Sequence, residues 1–205
     1  MSWFQTGVKA QEDRSRASAV EVMECFREAG PFLSQLALLI TGNSASAEQS
    51  VVTACQMTAK GYRPFRDWLL EWAKVAAITE AISQCAENIS GCEAAYRGQA
   101  CAHVEHTSLI DAEERAGYLD ILLRTDILKM IAELDALSRA VLVLRLATRS
   151  SIQDCVLRLN VGRAAVLAAN CRAMTWLRDL HLQPASASQP GSLADGRTFV
   201  SRQML

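Results

Sequence analysis

Cys92, Cys101, His103 and His106 form the chain's one cluster of metal-ligand type. Zinc takes four nitrogen or sulfur ligands, and a Cys-x-His-x2-His run with an upstream cysteine offers four. The spacing is not that of a standard zinc site, so no metal and no cofactor is assigned. A redox-sensing thiol pair is the other use that Cys92 and Cys101 could serve. Arg163, Asn170 and Arg172 form a second group. Arginine suits phosphate oxygens and guanine, and asparagine suits the adenine edge. On a helix starting near Arg163, Asn170 follows seven residues on and shares its face. Arg172 lies about 160° around the axis from Asn170, so a phosphate beside the groove is its expected partner. The plain alternative for all three is solvated helix surface. Trp68 and Trp72 could stack single-stranded bases, but their spacing within an apolar stripe assigns them to a core. The sequence holds no glycine-rich phosphate loop, nucleophile elbow or HExxH, and the carboxylates fall mainly at helix starts. An enzyme is not expected.

The elements that must position these residues are helices. Pro31 opens one, with Leu33, Leu36, Leu39 and Ile40 on one side, and Thr41-Gly42-Asn43 ends it. Ser46 with Gln49 reads as a capping box for a helix stopped by Gly61. Pro64 is expected to start the next, whose Phe65, Trp68, Leu69, Trp72, Ala76 and Ile82 recur at core spacing. With an acidic leading helix over 17–29, these make a four-helix N-terminal unit. The pattern breaks around Gly91 and Gly98. Asp111, Asp135 and Ser151 then stand at three further helix starts. Asn160-Val161-Gly162 is a tight turn, since asparagine and glycine tolerate positive φ. A last helix runs over 163–180, and two helices joined by so short a turn have helix-turn-helix geometry. No strand-like alternation occurs, so the fold class is all-α.

Composition agrees. Of 205 residues, 50% are hydrophobic, and only 4 are proline and 10 glycine, a balance that favours helices. No aliphatic run exceeds six residues, far short of the roughly 20 of a membrane span. The first residues lack the basic-then-apolar layout of a signal peptide. The cysteines, 7 in all, suit a reducing compartment better than a disulfide framework. A cytoplasmic protein with no membrane partner is expected. The near-neutral net charge of −1 hides an asymmetry. Residues 17–89 hold five basic and eight acidic side chains, whereas residues 124–180 hold nine and five. The basic second half permits nucleic-acid contact without demanding it.

Two stretches, LALLITGNSASAEQSVV (36–52) with FRDWLLEWAKVAAI (65–78), and LDALSRAVLVLR (134–145) with SIQDCVLRLNVGRAAVLAANCRAMTWLRDL (151–180), resemble one family. It is the bacterial RNA polymerase sigma factors of extracytoplasmic-function type. The resemblance covers roughly 110 residues in two blocks of the right order. It implies a polymerase-binding domain over 17–89 and a DNA-binding helix-turn-helix domain over 111–182. A linker over 90–110 joins them, a flexible segment 1–16 precedes them, and a disordered tail 183–205 follows. It implies RNA polymerase core and promoter DNA as partners, with an anti-sigma factor as a further one. By position it implies Glu48, Gln49 and Val52 against polymerase, and Lys74 with Arg163, Asn170 and Arg172 against DNA.

The departures are substantive. Where the family is acidic or glutamine-rich, this chain has Ser46, Val52 and Thr53, and Leu167-Ala168-Ala169 replace polar recognition-helix positions. DNA binding by the chain alone is therefore expected to be weak. The alternative reading is a diverged sigma-like interaction module, a decoy or regulator that has lost promoter reading.

Overall fold

The computed structural model describes residues 15–61, 64–99, 110–124 and 127–182. Among them the fold is all-α, with no strand beyond an isolated bridge between Arg16 and Phe65. Ten α-helices cover Ala19–Glu28 (α1), Gly30–Thr41 (α2), Ser44–Lys60 (α3), Leu69–Gln84 (α4), Ala86–Glu93 (α5), Ala112–Leu122 (α6), Ile127–Met130 (α7), Ala136–Ala147 (α8), Ile152–Leu159 (α9) and Arg163–Leu182 (α10). Among the described residues no helix is long and apolar enough to cross a membrane.

The helix starts follow from short polar side chains that take up otherwise orphaned N–H groups. Ser18 and Glu21 form a reciprocal capping box at α1, and Ser151 and Asp154 form another at α9. Asp111 and Asp135 cap α6 and α8 as expected. At α3 the cap is Asn43, whose Oδ1 accepts the Ser46 N–H at 3.0 Å. The expected Ser46–Gln49 box is thus displaced: Ser46 lies inside the helix. Gly42, at φ 68°, turns the chain between α2 and α3 in a region glycine enters without steric cost.

The start of α4 departs from expectation more sharply. Phe65 is extended and bridges Arg16, and Arg66–Trp68 is a single 3-10 turn before the helix begins. Its buried face is Ala73, Ala77, Ile78 and Ala81. Phe65, Trp68 and Trp72, read as core, are exposed, Trp68 by 72%. Small side chains let α3 and α4 approach closely, and the large aromatics are left on the outer side.

Helices α1 to α4 pack on one another, and α8 is the hub of the second half, touching α6, α9 and α10. Helix α8 also meets α2, α4 and α5, so one continuous apolar core runs through both halves. The Arg139 guanidinium fixes the junction. Its Nε donates to the Ile40 carbonyl at 3.3 Å and its Nη1 to the Leu134 carbonyl at 2.9 Å. Within the expected 90–110 linker, helix α5 continues to Glu93 and a 3-10 turn covers Ala94–Tyr96. Residues 100–109 lie outside the described residues, as do 1–14 and 183–205. Ile89 and Tyr96 are buried, which explains why helical structure persists where the periodicity fades: these two anchors are shared with the other half.

Candidate functional site

Helices α9 and α10 are joined by the short turn Asn160-Val161-Gly162. The capping box holds the first turn of α9, which buries Ile152, Cys155 and Leu159. Asn160 adopts φ 52°, ending α9 in the left-handed region that asparagine tolerates better than most residues. Val161 is buried in the corner. Gly162 then opens α10, its carbonyl accepting the Val166 N–H at 3.1 Å.

Helix α10 is held by the rest of the molecule. The Gly162 N–H donates to Glu93 Oε1 at 2.8 Å, so a carboxylate from the end of α5 takes up the N–H at the start of α10. A Cβ on Gly162 would sit 2.8 Å from that same oxygen, which is why glycine fits this position. Arg172 Nη2 donates to the Glu133 carbonyl at 3.1 Å, and its Nη1 lies 3.5 Å from Asp135 Oδ2. Trp176 Nε1 donates to Glu133 Oε2 at 3.2 Å. Asp135 caps α8 through the Ser138 N–H and also accepts the Ser138 and Tyr96 hydroxyls.

Burial opposes charge on Asp135. Hydrogen bonds from Tyr96 and from the backbone and side chain of Ser138, with Arg172 close by, more than offset this and hold the carboxyl below its usual range. The same cluster, with burial as the larger cause, pushes the Tyr96 phenol up to about 12.

The sequence-derived candidates fare differently. Arg163 is exposed at the start of α10. Asn170 is 1% exposed and belongs to the core face with Val166, Ala169 and Ala173. At 100° per residue it sits only about 20° from Arg163, but that step crosses the edge of the buried stripe. The expected base-edge contact is therefore corrected: in this arrangement the Asn170 amide faces inward. Arg172 is exposed yet engaged by Glu133 and Asp135. Lys74 pairs with Glu71 and keeps only 16% of its side chain exposed. The structure thus does not gather Lys74, Arg163, Asn170 and Arg172 into one surface.

Glu48, Gln49 and Val52 all lie on the exposed side of α3, with Gln49 donating to the Thr53 hydroxyl at 3.1 Å. Around the helix from them, Met57, Trp72, Val75 and Ala76 line an apolar cleft of about 470 Å³ between α3 and α4.

Of the expected metal or redox cluster, Cys101, His103 and His106 lie outside the described residues, and Cys92 is half-buried. Among the described residues no three His, Cys, Asp or Glu side chains are grouped to hold a metal ion. Cys85 and Cys155 are buried, and desolvation pushes the Cys155 thiol up to about 11, which makes it a poor nucleophile.

Sequence reasoning missed Glu93, Tyr96 and Glu133. Each acts on a partner roughly 40 to 70 residues away, and no local spacing encodes such a pair.

Comparison with models of known protein families, with curated proteins and with solved structures returned no match.

Proposed function

We propose that the chain is a sigma-factor-like transcription-initiation protein, in which the exposed side of α3 binds RNA polymerase core and α9–α10 lies at promoter DNA. The observation that carries this reading is the pairing, within one all-α chain, of a capped helix-turn-helix with an open α3 face. That face presents Glu48, Gln49 and Val52, the positions implied by the resemblance. Exposed Val52 on this face, and exposed Met57 around the helix from it, add apolar surface of the kind protein partners cover. Promoter specificity would then depend on polymerase tethering, which raises effective concentration without new contacts.

A second reading, a sigma-like interaction module without promoter reading, is favoured by one observation: Asn170 is buried and Arg172 is held by Glu133 and Asp135. Gel filtration of the full chain with core polymerase tests the first step, and co-elution is expected. Run-off transcription from a promoter library then separates the readings. Specific transcripts support initiation; co-elution without transcripts supports the interaction module. No co-elution at low salt overturns the initiation reading and favours the interaction module, whose decoy form needs no polymerase.

A further inference from the structure

A cleft of about 210 Å³ lies on the side of α8 that carries Arg145, and its lining is unusual in charge. Of the residues around it, Arg115 comes from α6, Arg145 from α8 and Arg149 from the loop before α9, with Ile110 and Ala112 completing the wall. None of these described lining residues is acidic. Asp111, which stands between Ile110 and Ala112 in sequence, turns its carboxylate to the Glu114 N–H at 2.8 Å as the cap of α6.

Three observations converge. Arg145 is 4% exposed, an uncommon place for a guanidinium, and desolvation lowers its pKa. Its Nη1 donates to the Ser150 carbonyl at 3.3 Å, which fixes the head of the side chain at the cleft. Arg149, at the mouth, holds φ 55°, a left-handed conformation that costs a non-glycine residue energy and that glycine would occupy freely. Like charges grouped about one cavity repel, and an anion between them removes the repulsion. Guanidinium forks match phosphate oxygens with paired hydrogen bonds. The volume is below the roughly 300–1,000 Å³ of pockets that enclose a drug-sized ligand, so it suits a phosphate group better than a whole cofactor.

We propose that Arg115, Arg145 and Arg149 form a phosphate-binding site at the junction of α6, α8 and the start of α9. The phosphate is either one of a DNA backbone lying along the helix-turn-helix or that of a free phosphorylated small molecule. This site is separate from Arg163 and independent of any polymerase contact.

The test is thermal unfolding of the full chain in inorganic phosphate against chloride at matched ionic strength. A saturable rise in Tm is expected, because a ligand that binds only the folded state stabilises it by mass action. The Arg115→Ala, Arg149→Gly double variant should lose that rise, with the apparent Kd for phosphate weakened about tenfold or more. Arg149→Gly accepts the left-handed backbone, so the fold is kept, and circular dichroism checks it. Arg115→Gln alone gives a second, milder variant that should weaken the same response. Arg163→Ala should leave the phosphate response intact. Fluorescence anisotropy on a random-sequence duplex then separates the sources. If the double variant also binds DNA more weakly, the site takes a backbone phosphate; if DNA binding is unchanged, it takes a free phosphorylated molecule. A Tm that does not distinguish phosphate from chloride, or a phosphate response equal in the double variant, overturns the proposal.

Discussion

Glu93 Oε1 accepts the backbone N–H of Gly162 at 2.8 Å, joining the end of α5 to the residue that precedes α10. A helix N-terminus carries partial positive charge and is a natural seat for a phosphate. Here a carboxylate from the same chain occupies it. Replacing Glu93 with alanine removes both the cap and a negative charge at the start of α10, the helix proposed to lie at DNA. The expected cost in stability is about 0.5–1.5 kcal/mol, read from the denaturant midpoint. Affinity for random-sequence duplex at low salt should rise in the same variant. A fall in affinity would show that Glu93 supports the surface proposed to meet DNA instead of covering it.

Arg139 contributes a different kind of link. It supplies donors to two carbonyls 94 residues apart in sequence, Ile40 and Leu134, while Gln35 Nε2 donates to the Leu123 carbonyl at 2.5 Å across the same junction. Arg139→Ala leaves both carbonyls without this donor, a loss of about 1–3 kcal/mol. Limited proteolysis should then release N-terminal and C-terminal helical fragments sooner than from the parent chain. Equal cleavage rates would mean that the apolar contacts of α8 alone hold the halves together.

The pH dependence follows from Asp135 and Tyr96. The folded-state pKa of Asp135 is depressed, so its contribution is present above the unfolded value of roughly 3.9 and is lost as pH falls through the folded value. Asp135→Asn should lower stability at pH 7 and flatten the loss of stability below about pH 4. The Tyr96 pKa is raised to about 12. Its contribution is complete below the unfolded value of about 10 and disappears as pH rises through the folded one. Tyr96→Phe should therefore flatten the alkaline limb of the stability profile between these values. Urea denaturation at intervals from pH 3 to above 11 measures both limbs.

Three of the helix caps were legible because a cap is a local event. Asp111, Asp135 and Ser151 each bond an N–H three residues on, and the spacing is written in the sequence. The positive-φ turn at Asn160 was legible for the same reason. Faces were harder. An apolar stripe has an edge, and Asn170 lies just inside it while Arg163 lies just outside. On α4 the aromatics and the alanines share one periodicity, and pattern alone cannot say which side meets α3. What covers α10 was illegible altogether, since Glu93, Tyr96 and Glu133 reach it from elsewhere in the chain.

Helix α4 and the 3-10 turn that leads into it give a direct check of which side is which. Trp68 is 72% exposed and Ala77 fully buried. Trp68→Ala should change stability by no more than about 0.5 kcal/mol, as surface substitutions do. Ala77→Leu should cost about 1–3 kcal/mol by overpacking the α3–α4 contact. Thermal or urea unfolding of the two variants decides the matter. A large loss at Trp68 with tolerance at Ala77 would reverse the face.

On the proposed reading, DNA binding through Lys74 and α10, apart from the Arg115–Arg145–Arg149 cleft, should rest on very few charges. Among the sequence-derived contacts, Lys74 is paired with Glu71, Arg172 with Glu133 and Asp135, and Asn170 is buried. Arg163 is left as the exposed cation at the start of α10. Each phosphate contact contributes about 0.9 to the slope of log affinity against log salt. The slope contributed by this group should therefore be near ~1, not the ~2 that Arg163 and Arg172 would give together. Arg163→Ala should remove it, and Arg172→Ala should leave it largely unchanged while loosening α10 from Glu133. Asn170→Ala should lower stability through its buried site and leave discrimination between duplex sequences unaltered, because its amide does not reach a base edge. Anisotropy titrations from low to physiological salt on two duplexes of different sequence provide the measurement. A steep slope together with sequence preference lost in Asn170→Ala would mean that α10 turns or detaches on DNA, presenting the face now packed against α8.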